Sequence, residues 1–143
     1  MSGKHDDDVT RVLTDDGVEK IEIGRYENRP ATSIEELKAE LGENSSWAAR
    51  LAYNEVFGGV AIQQLPGEGN RLHFHHDADE CWVIMEGQWE WYIEGEGTKR
   101  VGPGHVVVVR KDTPHRITCV GDKPGIRFAI TRPDVDHVYA DKD

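Results

Sequence analysis

Cysteine is scarce in this chain. There are two, Cys81 and Cys119, far apart and in no CxxC pair. Free thiols in a reducing compartment are the expectation. No apolar run approaches the roughly 18 residues of a membrane span, so none is expected. The opening stretch "MSGKHDDDVTRV" lacks an apolar signal core, which predicts a cytoplasmic rather than an exported protein. Basic residues are also short: 17 Lys and Arg stand against 27 Asp and Glu, a net charge of −10. Such a surface repels nucleic acid and anionic lipid at long range, so neither is an expected partner. Much of the acidic excess sits in "HDDD" and "DVDHVYADKD", which read as solvated ends. Internal repeats and low-complexity tracts are absent too.

What is present fits one domain of 143 residues. Residues 1–45 read as an arm with a short helix. Within it "GVEKIEIGRYE" offers a strand, with Val18, Ile21 and Ile23 as its apolar residues. "TSIEELKAELGE" reads as the helix. Ser33 can cap it, with Glu36 at the capping-box position, and Gly42 is a natural stop. Residues 46–133 turn to β. Gly59 to Leu65, Arg71 to His76, Cys81 to Glu86 and Gln88 to Ile93 are strand-like, as are Val106 to Val109, "HRITCV" and "IRFAIT". Gly and Pro turns such as "PGEGN" and "EGEGT" separate them. Short strands at this spacing predict an all-β sandwich or barrel. Val106 to Val109, wholly apolar, reads as a core strand. Residues 134–143 read as an acidic tail.

The chemistry concentrates in "LHFHHDADECWVIMEG". His73 and His75 are two apart on a strand, so both point to one side and Phe74 to the other. Glu80 starts the next strand, and His115 starts a later one. Three imidazoles and a carboxylate inside a barrel would make a mixed N/O metal site. That donor set suits Fe(II), Mn, Ni, Co or Zn better than calcium or magnesium. An octahedral ion with four protein ligands would keep two positions open.

Gly67, His73, His75, Glu80 and Gly87 reproduce the spacing G-(X)5-H-X-H-(X)3,4-E-(X)6-G. In this the chain resembles the cupin superfamily. The family's second motif, G-(X)5-P-X-G-(X)2-H-(X)3-N, is matched at Gly104 and His115. It is replaced by Arg110, Asp112 and Cys119 at the proline, glycine and asparagine positions. The resemblance covers roughly Gly59 to Thr131. It implies a double-stranded β-helix, or jelly-roll, barrel, often homodimeric. It also implies a divalent metal held by His73, His75, Glu80 and His115. It does not fix the reaction, because cupins include dioxygenases, isomerases, lyases, decarboxylases and non-catalytic binders.

Beside that set, His76 reads as an elbow residue, Asp77 and Asp79 as solvated turn residues, and His105 as a surface turn. Trp82 is two after Glu80, on the metal side with Ile84, and is a candidate pocket wall. Trp89, Trp91 and Ile93 share a face. Cys119 has the parity of His115 and is a further candidate for substrate contact. Cys81 reads as core. Arg71, on a regular strand, would point into the cavity with His73 and His75 and could anchor an anionic substrate. The expected function is a metal-dependent enzyme on a small molecule. A dioxygenase with Fe(II), substrate and O2 at the open positions comes first, with Glu80 able to act as a base. A non-redox Lewis-acid isomerase or lyase is the alternative, and a binding or sensor module is the third.

Overall fold

The computed structural model describes residues 22–133 and 138–139. Eleven strands and one helix run along them. The first part holds β1 (Glu22–Arg25), α1 (Ile34–Leu41), β2 (Trp47–Tyr53) and β3 (Gly58–Gln64). Then come β4 (Gly69–Phe74), β5 (Glu80–Glu86), β6 (Gln88–Ile93) and β7 (Gly97–Val101). β8 (Val106–Val109), β9 (His115–Val120), β10 (Gly125–Thr131) and β11 (Val138–Tyr139) complete the order. The strands form a six-stranded sheet, β1-β2-β3-β10-β5-β8, and a five-stranded sheet, β11-β4-β9-β6-β7. They face one another as a jelly roll without joining into one continuous hydrogen-bonded cylinder.

The core lies in two places. Between the sheets pack Trp82, Ile84, Trp89, Trp91, Ile117 and Cys119 with the smaller side chains around them. Strand alternation delivers these from β5, β6 and β9. Outside the six-stranded sheet, α1 covers Trp47, Ala49, Ala61 and Ile126 with Leu37, and Ile34 and Leu41 pack at the edge. The helix starts where the sequence places it. The Ser33 side chain accepts the Glu36 N–H at 3.1 Å, and the Glu36 carboxylate accepts the Ser33 N–H at 3.1 Å. This reciprocal pair satisfies two donors that a helix start otherwise orphans. Because both faces of the sheet are covered there, every residue of β3 is buried.

Some expectations are corrected. Val106 to Val109 is not a core strand throughout. β8 sits at a sheet edge, so only Val107 and Val109 face inward, while Val106 and Val108 are 60% and 58% exposed. Cys81 is half-buried on the outward face of β5 rather than core. Within the stretch read as a tail, Val138 and Tyr139 form a strand that pairs with Phe74 and His73 on β4. In the arm, β1 pairs with β2 in parallel; Val18 and Ile21 lie outside the described residues.

The turn before β9 answers a question set by the sequence. Asp112 stands where the second motif has glycine, and it adopts φ 62°, the left-handed conformation that glycine supplies without strain. Its N–H donates to the His75 carbonyl at 2.7 Å and its carboxylate accepts from His76 Nδ1 at 3.0 Å. Short polar side chains tolerate this region better than branched ones. Asp112→Val is therefore expected to cost about 1–2 kcal/mol of stability, and Asp112→Gly close to nothing. Denaturant unfolding of the two variants checks this.

Candidate metal centre

Four side chains meet at one end of the space between the sheets. β4 and β9 are neighbours in the five-stranded sheet and place His73 directly opposite His115. Their ring centroids are 4.3 Å apart. His75 lies just past the end of β4, its ring 5.4 Å from His73 and 6.0 Å from His115. Glu80 opens β5 in the facing sheet, so the cluster bridges the two layers. All four residues are buried, and one potential ligand atom from each falls within 4.8 Å of the others.

Hydrogen bonds fix how the rings present themselves. His73 Nδ1 donates to the Arg71 carbonyl at 2.7 Å, and His115 Nδ1 donates to the Thr113 carbonyl at 3.0 Å. A carbonyl can only accept, so each bond leaves the lone pair on Nε2, the tautomer a metal needs. His115 Nε2 is buried and has no hydrogen-bond partner. An atom in that state costs about 1–3 kcal/mol unless something fills its lone pair. Burial pushes the His115 imidazole below its usual pKa, with Glu80 pulling the other way, so the neutral, ligating form prevails at neutral pH. Glu80 Oε1 lies 2.9 Å from His75 Nε2 and 3.9 Å from His115 Nε2. Three imidazoles and one carboxylate, buried and converging, fit a divalent transition ion. These residues could bind one.

The connecting segments that carry the cluster are stitched together. Asp79 accepts the Lys111 N–H at 2.8 Å and pairs with Arg110 Nε at 3.1 Å. Both hold its carboxyl below the usual range, the Lys111 N–H first. Asp77 pairs with Arg132. These exposed aspartates tie the His75–Glu80 elbow to its surroundings rather than only meeting solvent.

The other candidates are distributed differently. Trp82 is 1% exposed, with its ring edge-to-face against His115 at 5.3 Å and against Trp91 at 5.2 Å. It stands beside the cluster. His76 points outward, exposed, against Phe74 and Asp112. His105 is exposed in a turn. Arg71 is not on a regular strand: the β4–β9 register shifts between Asn70 and His73. Its guanidinium nitrogens Nε and Nη2 are buried all the same, so strand parity alone does not place the side chain.

Cys119 faces inward, as parity requires, but in the apolar core, about 13 Å along β9 from His115 at the ordinary strand rise. Its sulfur points to the Gln64 and Lys123 carbonyls at 3.5 and 3.9 Å. Burial pushes its pKa up to about 11, so the thiol stays protonated and unreactive near neutrality. Cys119 is expected to resist a disulfide reagent at pH 8 until denaturant unfolds the chain. Reaction of both thiols in the native protein within seconds would contradict that placement.

A buried polar group went unnoticed in the sequence. Arg127 on β10 is 2% exposed. It donates to Gln64 Oε1 at 2.8 and 3.3 Å and to Asn70 Oδ1, and lies over the Trp89 ring at 5.4 Å. A charged residue among "IRFAIT" was the available signal.

Two facing antiparallel sheets with a buried His-His-Glu-His cluster define a double-stranded β-helix with a candidate metal centre. Residues 62–131 match the family model of the cupin domain, and the chain carries a small cupin domain there. No curated protein matches it in sequence. Many solved structures share its fold. One is an uncharacterized conserved protein with a double-stranded β-helix domain from Klebsiella pneumoniae. It is 16% identical, matches over 80% of this chain and 94% of that one, and has a TM-score of 0.67. Another is a DMSP lyase from Ruegeria pomeroyi, 22% identical over 68% of this chain and 54% of that one, with a TM-score of 0.58. A third is a cupin-superfamily sugar phosphate isomerase from Silicibacter pomeroyi, 22% identical over 62% and 59%, with a TM-score of 0.55. At these identities the likeness is one of fold.

Proposed function

We propose that this chain is a metal-dependent enzyme acting on a small molecule by non-redox chemistry, as an isomerase or lyase. The observation that carries the metal reading is the buried cluster with its orphaned His115 Nε2. His73, His75, Glu80 and His115 would hold the ion. Bound there, a divalent ion would supply Lewis acidity toward a substrate oxygen. The chain supplies the rest. The Arg71 and Thr113 carbonyls orient His73 and His115. The Trp82 face keeps water from one flank of His115. Glu80 is the only carboxylate in the cluster and the group placed to take or return a proton. The likeness in fold to a lyase and to a sugar phosphate isomerase favours proton transfer over oxidation.

A dioxygenase is the second reading, favoured by the donor set, since three nitrogens and one carboxylate also suit Fe(II). The test is a screen of small phosphorylated sugars and carboxylates, with Zn(II)-loaded and Fe(II)-loaded protein, in air and without oxygen. Turnover that persists with Zn(II) and without oxygen is expected. Turnover that requires both Fe(II) and oxygen would replace the first reading with the second.

A further inference from the structure

The chain has four tryptophans, all of them buried and almost fully shielded from solvent. Their indole N–H groups divide into two pairs. Trp47 Nε1 donates to the Gly42 carbonyl at 2.8 Å, and Trp89 Nε1 donates to the Glu86 carbonyl at 3.1 Å. Trp82 Nε1 and Trp91 Nε1 are buried and donate to nothing. Buried indoles ordinarily find an acceptor. The unsatisfied pair adjoins the cluster through Trp82, which packs on His115 at 5.3 Å, and Trp91 packs on Trp82 at 5.2 Å.

The imbalance has a sign. The orphaned Trp82 and Trp91 groups are donors, and so is a third buried orphan, Gln64 Nε2. Gln64's own oxygen is turned to Arg127. The space between the sheets therefore has spare N–H groups. It also holds the buried Arg127 guanidinium over Trp89, and a divalent ion in the cluster would add positive charge beyond what the single Glu80 carboxylate offsets. An occupant that balances this brings oxygen acceptors and negative charge.

We infer that Trp82 and Trp91 form an acceptor-binding wall, and that the molecule bound beside the metal is a small carboxylate-class anion hydrogen-bonded to their indole N–H groups. This deepens the metal-dependent reading and rests on it for the position of the site. The indoles hold the anion's oxygens, and their edge-to-face rings, 64° apart, set its orientation. Neither tryptophan takes part in proton transfer.

The experiment uses the four indole signals as their own controls. The full chain, labelled with 15N-tryptophan, is titrated with acetate and separately with acetamide, its neutral isostere. Both titrations are run metal-free and Zn(II)-loaded, with zinc content measured first. Trp82→Phe and Trp91→Phe, which keep an aromatic ring and lose the donor, assign the signals. If either variant fails to fold, the wild-type spectrum still separates hydrogen-bonded from unbonded indoles. The expected result is that acetate moves the Trp82 and Trp91 signals downfield and leaves Trp47 and Trp89 in place. Acetamide is expected to need at least tenfold more, and Trp82→Phe to weaken acetate about tenfold, the scale of a lost charged hydrogen bond. Three results would each overturn the inference: the Trp82 and Trp91 signals stay still, all four signals move alike, or acetamide equals acetate. Absence of bound zinc would instead count against the metal reading, and the metal-free titration would still decide for or against the indole wall.

Discussion

Substituting His73, His75 or His115 with alanine is each expected to lower affinity for a divalent transition ion by more than about 100-fold, whereas His76→Ala leaves it within a factor of about two. The floor comes from groups that merely support a ligand, whose loss already costs about 10–100-fold. Each of the three histidines contributes a potential ligand atom to the cluster. His76 is adjacent in sequence, yet it is exposed and bonded to Asp112 on the surface. The contrast separates membership of the cluster from local histidine density. Competition with a chromophoric chelator gives the affinities. Full affinity in His115→Ala would reduce the site to three residues on one elbow, and loss in His76→Ala would move the site outward.

Gly69→Ala is expected to be the most damaging single methyl group among the described glycines. A Cβ there would sit 1.9 Å from the Ile117 carbonyl oxygen and 2.9 Å from the Thr118 Cα. Those are backbone atoms of β9 and cannot swing aside as a side chain would. β4 and β9 would have to part, and they are the strands that set His73 opposite His115. Overpacking of this kind costs about 3 kcal/mol or more. The same displacement is expected to weaken metal binding about tenfold or more, because it pulls His73 and His115 out of position. Gly104→Ala is the comparison. Gly104 has φ 93° but open space around it, so its cost is conformational alone, about 1–2 kcal/mol. Thermal unfolding and metal titration of both variants test this. Equal losses in the two would show that β4–β9 contact is not what holds the cluster.

The cluster was legible because metal ligation imposes spacing. His73 and His75 must share a side, Glu80 must follow an elbow, and Gly87 must close the strand. Gly87 has φ 80°, and a Cβ there would lie 2.5 Å from the Gly125 Cα. The strands were legible for a similar reason: Gly and Pro turns interrupt apolar alternation, and β6, β8 and β9 begin and end where the pattern places them. The failures share a cause as well. Alternation says which residues share a face but not what covers that face. It could not show that β8 ends a sheet, so four valines looked like core. It could not show that α1 covers one face of β10 over Ile126 while the other face buries Arg127, so that both neighbours are buried. It also assumes a regular strand, and the irregular register between Asn70 and His73 means that parity alone does not place Arg71. Val138 and Tyr139 gain their strand from pairing with β4, a long-range contact that a two-residue stretch does not announce.

One divalent ion is expected among His73, His75, Glu80 and His115. Anomalous diffraction from a crystal loaded with Zn(II) or Mn(II) tests it most directly. A single strong peak per chain is expected, at about 2.0–2.2 Å from one atom of each of the four side chains. A peak held instead by His76 and Asp112, or no peak among the four with the crystal fully loaded, would contradict it.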